Sequence, residues 1–304
     1  MNTRVLIPAA VLLIGCSLHR RPAAIEPARG PTRDSLLILD QTRSDSVAAH
    51  GRVSGALALL SPDVVYLRAG IPSVYGRDAA RALFETSGGG PAPSPTWQPL
   101  AGDVSRDRRS GYTYGIAAHG DSPKGALQVA RYIAFWQRGP GEPWRIVAYA
   151  EINGPPAEEI RFSAAQLAAP ARRLTRSAAE ATERVRAADS AFADLADRMG
   201  AAFAFSNTVA PYGAVFGAST LVIGPAAVKE FEEARAAGTA LTWRPVDALA
   251  AESGDLGFTI GEYIATGRSP SGAAVQRFGK YLTVWQRQPN GDWKFVIDGG
   301  NATR

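Results

Sequence analysis

The chain has 304 residues, 46% of them hydrophobic, a formal net charge of +5, three His and a single Cys. That length accommodates two average domains with real cores, while one Cys excludes a disulfide framework. The positive balance does not point to nucleic acid, because no Lys/Arg cluster with interleaved aromatics appears anywhere along the chain.

Met1 to Gly15 carries an early Arg4 and an apolar run from Val5 to Ile14, which reads as a secretory signal. The run is too short to cross a bilayer. Leu13-Ile14-Gly15-Cys16 resembles the lipobox of bacterial lipoproteins, in which the thiol is diacylated and the preceding peptide removed. The alternative is a plain signal peptide with Cys16 near its cleavage point. Under the lipoprotein reading Cys16 is consumed as a lipid anchor, leaving no thiol for disulfides, metals or nucleophilic attack. Ser17, rather than Asp, after the Cys implies by the same resemblance the periplasmic face of an outer membrane. Residues 16–32 are rich in Pro, Ala and Arg and predict a flexible tether. Arg20, Arg21 and Arg29 either meet anionic headgroups or solvate a spacer.

A helix follows from Asp34 to His50, stopped by Gly51, then a short one over Val53 to Leu60. Val64-Val65-Tyr66-Leu67 is β-branched and aromatic, hence a strand, and Arg77 to Phe84 is a small helix. Ser87 to Pro95 is a surface loop. Strands are expected over Gln98 to Val104, Gly111 to His119, Gln128 to Gln137 and Trp144 to Ile152. Gly139-Pro140-Gly141-Glu142-Pro143 turns the last pair into a hairpin.

The same order then recurs. Ala181, Val185, Ala188, Phe192 and Leu195 form a helical apolar stripe, and Pro225 opens a helix ending near Arg235. Strands follow at Thr242 to Leu249, Leu256 to Thr266, Gln276 to Gln286 and Trp293 to Asp298, the last two joined by the turn Pro289-Asn290-Gly291-Asp292. Residue blocks echo directly: Trp97-Gln98-Pro99 returns as Trp243-Arg244-Pro245, Gly111-Tyr112-Thr113-Tyr114-Gly115 as Gly257-Phe258-Thr259-Ile260-Gly261, and Tyr132 with Trp136-Gln137-Arg138 as Tyr281 with Trp285-Gln286-Arg287. Each copy, at roughly 120 residues, is domain-sized rather than a solenoid unit. The domains expected are therefore a signal peptide at 1–15, the tether at 16–32, one copy at 33–153, a connector at 154–175 and a second copy at 176–304.

These motifs resemble the nuclear transport factor 2-like superfamily, and within it the SnoaL-like domains of unknown function. The resemblance implies an α+β fold of two cone-shaped half-barrel domains, each a curved, mostly antiparallel sheet with helices packed on one face around a pocket. Helices grouped on one face suit the element order itself. It also implies isomerases, cyclases, dehydratases and simple binders on one scaffold, so activity does not follow from fold. A duplicated chain can form an internal pseudo-dimer by packing copy on copy, or hang as two beads on a string.

Of His19, His50 and His119, none lies in the second copy, so a zinc site or Ser-His-Asp triad shared by both copies is excluded. No metal or cofactor is expected. His50 reads as a helix C-terminal residue favourable to the dipole, and His119 as a loop tip. Ketosteroid isomerases of the superfamily place a base Asp where this chain has Leu67 or Arg68 and, in the second copy, Tyr212 or Gly213. Asp63 suits a turn after Pro62. Asp298 is the most promising carboxylate, either a pocket acid or a surface partner for Lys or Arg. Tyr132 with Trp136, and Tyr281 with Trp285, share a sheet face at spacing four and form either an aromatic ligand wall or core filling. Gly111, Gly115, Gly257 and Gly261 mark bends or close backbone approach rather than a phosphate cradle.

The leading functional expectation is a lipid-anchored envelope protein that binds a small apolar or aromatic ligand without catalysis, using Tyr281, Trp285, Asp298, Tyr132 and Trp136. A cofactor-free SnoaL-like enzyme with Asp298 as acid or base is the alternative, and a docking module at the membrane a third.

Overall fold

The computed structural model describes residues 33–86, 96–119, 128–152, 179–216, 221–236, 238–269 and 271–303. Cys16, the tether, the connector at 154–175 and the loop at 87–95 lie outside the described residues. The first half runs α1 (Arg33–His50), α2 (Arg52–Leu57), β1 (Leu60–Leu67), β2 (Val74–Tyr75), α3 (Arg77–Thr86), β3 (Thr96–Val104), β4 (Ser110–His119), β5 (Gln128–Gln137) and β6 (Arg145–Ile152). The second half repeats it as α4 (Ala179–Met199), α5 (Ala201–Thr208), β7 (Val209–Phe216), β8 (Leu221–Ile223), α6 (Pro225–Ala236), β9 (Ala240–Ala250), β10 (Leu256–Arg268), β11 (Ala274–Arg287) and β12 (Trp293–Ala302).

Gly51 separates α1 from α2 at φ 78°, and Gly200 separates α4 from α5 at φ 86°. Only a residue without a Cβ takes that left-handed turn at little cost, so both helix pairs break at equivalent places. The strand expected from Val64 starts earlier, at Leu60, and runs through Pro62. Pro lacks a ladder N–H, and the strand tolerates it because its register with β6 slips between Leu60 and Val65. Pro211 sits inside the corresponding slip of β7 against β12, between the pairs Phe295↔Val209 and Ile297↔Ala214.

The two sheets have the same strand order, β2-β1-β6-β5-β4-β3 and β8-β7-β12-β11-β10-β9. β1 pairs with β6, and β7 with β12, in parallel; the other neighbours are antiparallel. This corrects the expected cone-shaped half barrels. Both sheets are mixed and open, with β2 and β3 as the ends of one and β8 and β9 as the ends of the other. Neither sheet curls back on itself, and a physical reason lies in the strand faces. Each sheet uses one face for its helices and the other for its sister, so its second apolar face is covered by face-to-face packing rather than by closure.

The sister faces share one core. Val65, Leu67, Tyr112, Tyr114, Ile133 and Phe135 of the first sheet bury with Leu249, Phe258, Ile260, Leu282, Val284 and Ile297 of the second. The Phe135 and Phe258 rings lie 4.8 Å apart, and Tyr114 meets Phe216 edge-on at 5.9 Å. The halves are thus an internal pseudo-dimer. Its hairpins exchange equivalent contacts: Arg106 N donates to Asp255 at 3.1 Å, Arg109 donates to Glu252 at 2.8 Å, and Ser253 N donates to Asp107 at 2.8 Å. Reciprocal pairs of this kind are the signature of an isologous, twofold interface. Helix-side cores separate the halves again, with Leu36, Val47, Leu83 and Trp136 under α1–α3, and Val185, Phe192, Val228 and Trp285 under α4–α6.

Phe258 is fully buried where both sheets meet. Phe258→Ala should lower stability by about 3–5 kcal/mol, read from urea unfolding followed by circular dichroism. A loss under about 1 kcal/mol would mean that the sister faces are not a joint core.

Candidate functional site

Helices α1 and α4 lie across the helix-side faces of their sheets and each inserts one Asp. Tyr132 OH donates to Asp40 at 2.6 Å, and Tyr281 OH donates to Asp189 at 2.9 Å, with 92 residues between the partners in both halves. The indoles repeat too: Trp136 Nε1 donates to Thr113 at 2.8 Å and Trp285 Nε1 to Thr259 at 2.9 Å. Tyr132, Trp136 and Trp285 are fully buried and Tyr281 nearly so. The four aromatic residues singled out by spacing therefore stand in the two helix-side interiors, their polar tips satisfied by the protein itself.

Beyond that frame the halves diverge. In the first, Arg43 follows Asp40 by one helical turn and is 3% exposed. Its guanidinium lies 3.4 Å from Asp40 and above the rings of Trp97 and Tyr149, at 4.5 and 4.8 Å from their centroids. Burial alone would pull Arg43 down, but Tyr149 and Asp40 outweigh it and hold the guanidinium above its ordinary value. Trp97 Nε1 donates to Tyr149 OH at 3.1 Å, and Tyr66 OH faces Glu151 at 3.5 Å. Burial pushes the Tyr149 phenol up to about 12. Here a buried carboxylate meets its cation, and aromatic faces close over both.

In the second half, Phe192 stands one turn after Asp189, where the first half has Arg43. Its ring packs on Trp243 at 4.6 Å, Phe205 at 4.8 Å and Phe295 at 5.6 Å. Asp298 takes the place of Tyr149. Asp189 is fully buried and accepts hydrogen bonds from Tyr281 and, at 3.2 Å, from Trp243 Nε1. Burial pushes its carboxyl up to about 6 despite these donors and Thr259. Asp298 is part-buried and accepts from Thr283 Oγ1. Burial, opposed by that hydrogen bond and reinforced by the charges of Asp189 and Glu232, pushes it up to about 7. Glu232 is 2% exposed and held by Arg235, whose Nε donates to it at 2.8 Å. Its carboxyl is raised by burial, with Arg235 pulling the other way.

Two carboxyls that change protonation near neutrality thus share an aromatic interior. One protonated and one ionised carboxyl supply a donor and an acceptor side by side, the arrangement needed to orient a polar tip on an apolar molecule or to move a proton. The face of Asp298, open in the sequence, is the helix side, along with Tyr281 and Thr283. No motif of the sequence marks Asp189, although it falls on the apolar stripe with Val185 and Phe192; a charged residue on a buried stripe is the available signal. Asp40 and Arg43 carried the same signal on α1. His50 Nδ1 lies 3.0 Å from Ser46 O at the exposed end of α1, His119 ends β4, and Asp63 is exposed, its N–H directed at Ser61 Oγ at 3.4 Å.

No family model matches the chain, and no curated protein matches it. Among solved structures, it is similar to a ketosteroid isomerase-like protein from Erwinia carotovora atroseptica, at 14% identity and TM-score 0.38, over 41% of this chain and 98% of that one. It is also similar to a nuclear transport factor 2-like protein with a cystatin-like fold from Novosphingobium aromaticivorans, at 23% identity and TM-score 0.32, over 40% and 80% of the two chains. A putative dehydratase of the nuclear transport factor 2-like family from Streptomyces avermitilis matches at 18% identity and TM-score 0.33, over 40% and 94%.

Proposed function

We propose that the chain binds a small apolar or aromatic molecule in the helix-side interior of its second half, with the first half serving as a structural copy. The replacement of Arg43 by Phe192 is the observation that carries this reading. With Arg43 the Asp40 carboxylate has its cation 3.4 Å away; with Phe192 the second interior keeps Asp189 and Asp298 under an aromatic wall, and among the described residues neither makes an ion pair. Phe192, Trp243 and Tyr281 supply the apolar surface, and the Asp298 carboxyl, protonated near neutrality, donates to a hydroxyl or carbonyl on the ligand. The raised carboxyls of Asp189 and Asp298 favour one second reading, a cofactor-free enzyme using them as acid and base. We also propose, on the Val5 to Ile14 run and the Leu13-Ile14-Gly15-Cys16 motif alone, that Cys16 carries a lipid anchoring the protein to the periplasmic face of an outer membrane.

Neutral ring-bearing alcohols and ketones, screened by thermal shift, should yield binders that Asp298→Asn weakens by about tenfold, while Tyr149→Phe in the first half leaves them unchanged. Equal effects of the two substitutions would remove the second interior as the site. Turnover of a bound compound that Asp298→Asn abolishes would establish the enzymatic reading in place of simple binding.

The carboxyls also set a pH dependence of stability. Both have folded values above the unfolded one, so the folded protein holds more protons between about pH 4 and pH 7 and loses stability as pH rises through that window. Asp298→Asn should match wild type at about pH 4 and exceed it by about 4 kcal/mol at about pH 8, measured by urea unfolding; a constant difference across pH would contradict the assignment.

Cys16→Ala should release the protein from envelope membranes into the soluble fraction, and intact-mass analysis of wild type should show the acyl chains. A wild-type mass without added lipid would overturn the anchor.

A further inference from the structure

The second sheet outgrows the first. β9, β10 and β11 have 11, 13 and 14 residues, against 9, 10 and 10 in β3, β4 and β5. On the face directed toward the sister sheet, the overhang carries two cross-strand rows: Thr242, Ile264 and Phe278, then Arg244, Glu262 and Lys280. The turn from Ile71 to Tyr75 of the first half stands opposite, and a cavity of 650 Å³ lies between them, its wall including Pro72, Tyr75, Ile264, Phe278 and Lys280. This cavity is on the opposite face of the sheet from Asp298.

Lys280 is the anomaly of the region. It is 2% exposed, and its Nζ donates to Ile71 O at 2.6 Å. An ammonium has three donors, and no ion pair joins Lys280 to a carboxylate among the described residues. Glu262, directly across the ladder, is engaged by Arg244 at 3.1 Å, and both of those side chains are largely exposed at the rim. Burial without a counterion pulls the amine down to about 7. The rim pair cancels, so the floor presents one uncompensated positive charge. Beside it Phe278 is 49% exposed, a large aromatic surface across the ladder from Ile264.

We propose that this cavity is a second ligand site, taking an apolar or aromatic monocarboxylate whose carboxylate meets Lys280 Nζ and whose hydrocarbon lies on Phe278, Ile264 and Tyr75. One net positive charge matches one carboxylate, whereas a cationic ligand would be repelled and a neutral hydrocarbon would leave the buried N–H donors unsatisfied. The volume is that of a site for a drug-sized molecule.

Naphthoate and its neutral isostere naphthamide separate charge recognition from apolar burial. By isothermal titration calorimetry at about pH 6, where the ammonium form prevails, the full chain should bind naphthoate at least about tenfold more tightly than naphthamide. Lys280→Met, an apolar chain of similar length that suits a buried position, should bring naphthoate down to the naphthamide level. Phe278→Ser, at a half-exposed position, should weaken both. Equal wild-type affinity for the two compounds, absence of naphthoate binding, or a preference that survives Lys280→Met would overturn the proposal; loss of binding in Asp298→Asn alone would assign the ligand to the helix-side interior instead.

Discussion

Two apolar sheet faces that neither half could leave in water determine much of this architecture. Phe135, Phe258, Leu282 and Val284 lie in one buried layer contributed by both halves. A contiguous apolar face of that size on a lone sheet would be an aggregation surface; sister packing removes it and leaves each sheet open. The reciprocal contacts of the Asp107 and Ser253 hairpins follow from the same geometry, because a duplicated surface that packs on its own copy must exchange equivalent contacts. Chemistry is then confined to the remaining faces, those under the helices and the overhang where the second sheet outruns the first.

The copies keep their scaffold and diverge where it is buried. The Tyr–Asp and Trp–Thr hydrogen bonds recur because each ties an aromatic ring on the sheet to a fixed position of helix or neighbouring strand. Arg43 and Phe192 fill equivalent space with opposite electrostatic results. A guanidinium between Asp40 and Tyr149 is itself held above its ordinary value by those neighbours, whereas a phenyl ring in its place leaves the buried Asp189 carboxyl raised. Carboxyls held partly protonated reduce stability at neutral pH, the trade-off expected where a fold retains reactive groups. Lys280 belongs to the same pattern, a buried amine with no counterion among the described residues, at the overhang of the second sheet.

Much of the fold was legible because the echo of Trp97-Gln98-Pro99 in Trp243-Arg244-Pro245 established the duplication, and alternation gave the strands from Gly111 to Gln137 and from Leu256 to Gln286. The openness of the sheets was not legible, since alternating residues report that a strand has two faces and say nothing of what covers the second. Pro62 hid the start of β1, because local chemistry argues against Pro in a strand and only the register slip against β6 makes it tolerable. In the candidate site, Tyr132, Tyr281 and Asp298 could be placed on strands, but their partners Asp40 and Asp189 lie 92 residues before the tyrosines on helices whose rotation is set by packing.

By itself the sequence determined most of the elements, their repetition, and the aromatic residues and Asp298 of the candidate site, because these depend on neighbours along the chain: helical stripes, two-residue alternation and turn chemistry are local. Only the tertiary structure decided which face of β12 carries Asp298, that Phe192 replaces a buried cation, and that Lys280 is sealed against the carbonyl of Ile71. Those outcomes depend on desolvation and on charges brought together from distant segments, and burial is a property of the packed assembly that no local pattern encodes.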